Sequence, residues 1–206
     1  MISPTYTELL ASGPELVSLN ARAVRTSIDV VSRLTAADLD APTPCAGWAL
    51  RDLLEHMIVQ HYGFAAAARG EDDIALWKPQ PLGDDPIAEY RAAGERVLGA
   101  FAADGVLEQG FPLPEVRDGT VLPAPLSISF HFVDYVVHSW DVARALDVPV
   151  EFDEDVLAAA LVVAQGVPDG DIRLAPNSPF APIVPFEGSG LDQVLALLGR
   201  SPHWPN

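Results

Sequence analysis

Nineteen prolines and fifteen glycines gather in clusters, and the stretches between clusters carry apolar residues every three or four positions. That combination restricts the chain to a set of helices joined by proline-rich loops. Leu16, Leu19, Ala23, Val24, Ile28 and Val31 define a first helix from about Pro14 to Leu34. The loop around Pro42, Pro44 and Gly47 ends it. A second helix is predicted from near Trp48, past His61, into the alanines before Gly70, with Leu50, Leu53, Leu54, Met57 and Ile58 as its stripe. Pro86 suits the first turn of a third helix, where its missing N–H has no helical partner to lose, and the pattern continues through Ala102. Gly110 to Pro123, with the turn Asp118-Gly119, reads as an irregular excursion or short hairpin.

A fourth helix is expected from about Pro125 to Leu146 and a fifth from Asp153 to about Gln165. Beyond them, Pro168 to Gly190 is rich in proline and glycine, with an extended candidate at Ala181 to Phe186 and a last helix at Leu191 to Leu198. The expected architecture is mainly α: a four-helix bundle over 1–167 with a compact extension, 168–206, packed on it.

Composition narrows the function classes. With 12 Lys and Arg against 29 Asp and Glu the formal charge is −17, yet 49% of residues are hydrophobic, enough to build a core that a disordered acidic chain lacks. The cations are scattered, so nothing offsets the repulsion of phosphate backbones or anionic lipid; neither nucleic acid nor membrane is an expected partner. No stretch approaches the ~20 apolar residues of a membrane span, and the N-terminus lacks the cationic start and apolar run of a signal peptide. The expected location is cytoplasmic. A single cysteine, Cys45, excludes an internal disulfide and a multi-cysteine zinc module.

The fourth helix carries the chemistry. At about 100° per residue, His131, Asp134, His138 and Asp141 fall within a sector of roughly 80°, among Phe130, Phe132, Val133, Val136, Val137, Trp140 and Val142. No Lys or Glu lies between Pro125 and Ala143. One reading is the wet side of an amphipathic helix. The other is a metal site, because a carboxylate and an imidazole at i and i+4 converge on one point. The remaining ligand candidates among the histidines are His56, His61 and His203. Periodicity alone favours His61, which lies nearer the middle of the second helix's apolar stripe.

Thr43-Pro44-Cys45-Ala46-Gly47-Trp48, then Arg51-Asp52-Leu53-Leu54-Glu55-His56, and later Asp134-Tyr135-Val136-Val137-His138-Ser139-Trp140-Asp141 resemble the actinobacterial DinB-like metal-binding proteins related to mycothiol-dependent maleylpyruvate isomerases. The ending Leu197-Leu198-Gly199-Arg200-Ser201-Pro202 is similar too. The resemblance implies a DinB-like four-helix bundle and the metal ligands His56, Asp134 and His138, displacing His61. Asp134 stands where the thiol-dependent isomerases usually carry Glu, one methylene longer.

A set of two histidines and one carboxylate leaves positions open for water or substrate, as in catalytic zinc sites. Zinc is the expected ion, with iron and nickel as alternatives. The resemblance implies mycothiol as a thiol cosubstrate and a transferase or isomerase acting on a small electrophile. A metal-dependent lyase, hydrolase or cyclase without thiol is the second reading, and a non-catalytic binding protein with a vestigial site the third. His131 is a candidate general base or a support for the ligands, and Asp141 a candidate to orient His138, with an Asp141–Arg144 pair as the plainer alternative. Cys45 has no evident histidine partner in the sequence. Arg200 is read as a salt-bridge partner of some acid or an anchor for an anionic conjugate. The partner is a small molecule, and the assembly a monomer or homodimer.

Overall fold

A computed structural model describes residues 5–116, 119–175 and 178–205. Among the described residues are seven α-helices and one hairpin: α1 (Tyr6–Ala11), α2 (Gly13–Val31), α3 (Leu50–Ala67), α4 (Pro86–Phe101), β1 (Gly110–Pro112), β2 (Val121–Pro123), α5 (Ala124–Ala145), α6 (Glu154–Gly166) and α7 (Leu191–Leu197). The helix starts follow local chemistry. Pro86 occupies the first turn of α4, and the Asp85 carboxylate accepts from the Ala88 N–H at 3.0 Å. Ahead of α3, the Asp52 carboxylate accepts from the Ala49 N–H at 2.9 Å. Each bond satisfies a backbone donor that the helix leaves free.

α5 is the central element. Of its residues only Pro125, Leu126, Phe130, Asp134, Arg144 and Ala145 escape full burial, the pattern of a helix covered on all sides. α2 packs along α5 and α3 along α4, while α2 against α4 and α3 against α5 close the ring of four. This is the expected bundle. α6 covers α5 and carries α7, and α1 fills the angle between α2, α5 and α6. The burial of His131, His138 and Asp141 removes the reading of the polar stripe as a wet face: it points into the bundle.

Two local expectations fail. α1 goes unanticipated because it is only 6 residues long, too short for periodicity to register; it is held by Thr5 and Glu8, whose side chains cap each other's backbone N–H. The extended candidate at Ala181 to Phe186 forms no strand. Among the described residues no strand lies beside it, and its Val184 N–H bonds instead to the Ala196 carbonyl of α7. The sheet that does form is the hairpin, antiparallel with Phe111 opposite Leu122. Gly110 belongs there because a Cβ would meet Val121 at 2.6 Å. Of the turn expected at Asp118-Gly119, Asp118 lies outside the described residues; Gly119 has φ +69°.

The C-terminal segment is gathered around Arg173. Its buried guanidinium donates to the carbonyls of Pro168 (2.8 Å), Ala181 (3.1 Å) and Leu197 (2.6 Å), three separate points of an otherwise irregular chain. Arg173→Ala leaves those carbonyls unpaired and is expected to cost about 3 kcal/mol, measured by urea unfolding, whereas exposed Arg91→Ala shifts the midpoint negligibly.

Candidate metal centre

The segment before α3 is a closed turn. The Thr43 hydroxyl donates to the Trp48 carbonyl at 2.9 Å and accepts from the Cys45 N–H at 3.2 Å. Pro42 and Ala49 are bridged, and Gly47 takes φ +81°, a conformation that favours glycine. This turn brings Cys45 against α5 and sets Trp48 over the first turns of α3, where its ring centroid lies 5.1 Å from that of His56.

One turn further along α3, His56 meets α5. Its ring stands edge-on to His138 with centroids 5.3 Å apart. One donor atom each from His56, Asp134 and His138 lies within 4.8 Å of the other two. His138 is the hub: Nε2 is 3.3 Å from Asp134 Oδ1, and Nδ1 is 2.8 Å from Asp141 Oδ2. The i, i+4 and i, i+3 spacings place one carboxylate at each nitrogen.

The electrostatics suit the donor set. Burial, reinforced by the nearby His138, pushes His56 down to about 4, so it is neutral at pH 7 with a lone pair to give. Burial alone would raise Asp134, but His138 and its hydrogen bond, with His56 and His131, hold the carboxyl well below its ordinary range. Burial alone would lower His138; attraction to Asp134 and hydrogen bonds to Asp134, Asp141 and Cys45 outweigh it and hold the ring protonated. A cation is therefore wanted between these carboxylates, and with no metal the His138 ring supplies it. Two imidazoles and one carboxylate fit a borderline divalent ion such as zinc.

A second group adjoins the first. Cys45 Sγ lies 3.2 Å from Asp141 Oδ2 and 3.9 Å from His138 Nδ1, the histidine neighbour that the sequence did not reveal. Arg200, just after α7, places Nη2 3.1 Å from Asp141 Oδ2 and 3.6 Å from Cys45 Sγ. Asp141 thus pairs with His138 and Arg200. Arg144 instead donates to the Trp204 carbonyl. Asp141→Asn weakens the acceptor that orients His138, and 10–100-fold weaker zinc binding is the roughly expected cost of such a change, read by competition with a chromogenic chelator.

The other histidines lie elsewhere. His131 is fully buried, its Nδ1 2.8 Å from Asn20 Oδ1 and its Nε2 3.2 Å from His61 Nδ1. Tyr135 stacks on both rings, at 4.0 Å from His61 and 4.2 Å from His131, and its hydroxyl donates to the Met57 carbonyl. His61 is therefore in this core group and not beside Asp134 and His138. His203 is exposed near Phe186. Trp140 is buried, whereas Trp48 is 38% exposed. No helix among the described residues is long and apolar enough to cross a membrane.

Comparison with known proteins supplies the family and the fold. Two curated relatives, uncharacterized proteins from Mycobacterium tuberculosis strains H37Rv and CDC 1551, are each 28% identical over 179 residues, covering 84% of this chain and 90% of theirs. The crystal structure of the mycothiol-dependent maleylpyruvate isomerase superposes with a TM-score of 0.56 at 15% identity, covering 87% of this chain and 83% of that one. A histidine-to-alanine mutant of that isomerase gives 0.57 at 13% identity with the same coverage. At such identities the likeness establishes the fold. Residues 21–143, which include His56, Asp134 and His138, match the family model of the mycothiol maleylpyruvate isomerase N-terminal domain, and the chain belongs to that family.

Proposed function

We propose that this protein is a metal-dependent enzyme of the thiol-using transferase or isomerase type, acting on a small electrophilic substrate. The observation that carries the reading is the convergence of His56, Asp134 and His138 from two helices, with His56 neutral and Asp134 ionised. A divalent ion held there, zinc in this proposal, supplies Lewis acidity that brings a thiol or water toward ionisation at neutral pH or polarises a carbonyl. Asp141 fixes the His138 ring through Nδ1, and Arg200 neutralises Asp141 from the far side. Trp48 forms an exposed apolar wall beside His56. Family membership supports mycothiol as the thiol, the small molecule named in the family's description.

The test uses protein purified without a histidine tag. Metal analysis is expected to find stoichiometric zinc in the wild type and none in His56→Ala. Incubation with mycothiol and a chlorobimane electrophile is expected to give conjugation that a chelator abolishes and zinc restores. Equal conjugation rates before and after chelation would overturn the metal-activated thiol, and absence of stoichiometric metal would overturn the centre itself.

A further inference from the structure

We propose that His138 serves two mutually exclusive cation seats, one through each ring nitrogen, and that the second seat, built from Cys45, His138 Nδ1 and Asp141, takes a thiophilic d10 ion. It shares His138 with the centre proposed above but does not depend on that centre being loaded.

The geometry of the second seat is close to that of a coordination shell. Donors around one tetrahedral ion with metal–ligand bonds of about 2.0–2.3 Å stand roughly 3.3–3.8 Å apart. Here Sγ to Oδ2 is 3.2 Å, Sγ to Nδ1 is 3.9 Å and Nδ1 to Oδ2 is 2.8 Å. The other Asp141 oxygen, Oδ1, is buried without a hydrogen-bond partner among the described residues, a lone pair that the fold leaves unused and that a cation would satisfy. One thiolate with one imidazole and one carboxylate is a softer set than His56, Asp134 and His138, so it favours cadmium or monovalent copper over harder ions.

Exclusivity follows from the ring itself. Neutral imidazole has one N–H and one lone pair. With the proton on Nδ1, donated to Asp141, the lone pair on Nε2 faces the seat of His56 and Asp134. With the proton on Nε2, donated to Asp134 at 3.3 Å, the lone pair on Nδ1 faces Cys45 and Asp141. Both hydrogen-bond partners are in place, so either tautomer is accommodated and each opens one seat while closing the other.

The guanidinium of Arg200, touching both Asp141 and Cys45, occupies the cation position of the second seat. A thiophilic ion replaces it, and two protons pass to solvent on binding, the Cys45 S–H proton and the Nδ1 proton of the His138 imidazolium, which leaves the neutral ring with its remaining proton on Nε2. Arg200 is held by a short segment after α7 with its Nε unpartnered among the described residues, and it is a competitor that can be removed by mutation.

The probe is cadmium chloride added to the metal-free protein, read by the ultraviolet thiolate-to-cadmium charge-transfer band. Because Cys45 is the sole cysteine, the band reports this seat alone. The wild type is expected to develop the band, Cys45→Ser to lose it and His56→Ala to keep it. Arg200→Gln is expected to bind cadmium about tenfold more tightly, as for removal of a modest charge competitor, with circular dichroism confirming the helical fold. Zinc loaded beforehand is expected to weaken the band in the wild type but not in His56→Ala. Absence of the band from both the wild type and Arg200→Gln overturns the seat, as does its loss in His56→Ala; an unchanged cadmium affinity in zinc-loaded wild type overturns exclusivity. Failure of the wild type to bind zinc, with the cadmium band intact, removes the centre proposed earlier and leaves the second seat standing.

Discussion

Replacing His138 by alanine is expected to weaken zinc binding about a hundredfold and to destabilise the metal-free protein, whereas replacing His56 does only the first. A full zinc site is worth roughly 10–16 kcal/mol, so losing one ligand of about four costs roughly 3 kcal/mol, or two orders of magnitude in affinity. Both variants share that loss. They differ without metal because His138 is a buried cation between Asp134 and Asp141, while His56 is neutral. Arg200 still neutralises Asp141 in the variant, but Asp134 is left without its cation. Breaking a buried pair in this way costs about 3 kcal/mol, moderated because the Asp134 side chain is 30% exposed. Chelator competition reads the first effect and urea unfolding of the metal-free proteins the second. Equal metal-free stabilities for the two variants would refute the charged-hub account of His138.

Acid is expected to unfold this protein from within. Burial lowers His131 to about 3 and His61 well below its ordinary value, and it lowers His56 to about 4. For a histidine depressed in the fold, the unfolded chain binds more protons below its own pKa of about 6.5, so stability falls as pH drops through 6.5 and the loss is complete near the folded value. His131 alone accounts for on the order of 5 kcal/mol across that window. Of the opposing groups, His138, Asp134 and Asp141 are silent there, while Glu115, raised by burial, offsets part of the loss toward the lower end. His138, raised in the fold, contributes fully below about 6.5 and loses its contribution only as pH rises toward its folded value. Asp134 and Asp141, lowered in the fold, lose theirs only below the ordinary aspartate range. Urea midpoints of the metal-free protein should therefore drop steeply from pH 7 to 4. In His131→Leu the slope should be shallower by about one proton, the group removed. A slope unchanged by that substitution would show that His131 titrates freely in the native state.

The helices were legible because their signals are local. Capping groups, first-turn prolines and apolar repeats act over a few residues, and six segments start and stop within three residues of the expected positions. α1 was invisible because a short helix shows too few repeats. The extended candidate at Ala181 to Phe186 misled for a different reason: a strand needs a partner, and the neighbour here is the end of α7. The candidate metal centre was half legible. Asp134 and His138 share a helix, so their spacing declares them, but the choice between His56 and His61 depends on how α3 is rotated against α5. Periodicity pointed to the more buried His61. The structure instead gives His61 to the core with His131 and Tyr135, and the motif resemblance had singled out His56.

Cys45 lies 96 residues from Asp141, and Arg200 lies 59 from it; no spacing rule connects them. Their meeting depends on the turn at Gly47, on α5 running through the centre of the bundle, and on α7 returning the chain beside it. The sequence by itself determined six of the seven helices, their order and the pair of donors along the central one, because hydrogen bonding and amphipathicity repeat every turn of one helix. Only the tertiary structure decided which histidine faces that pair and which cation neutralises Asp141, because those choices rest on packing between helices distant in the chain, where a rotation of one residue's 100° exchanges one side chain for another.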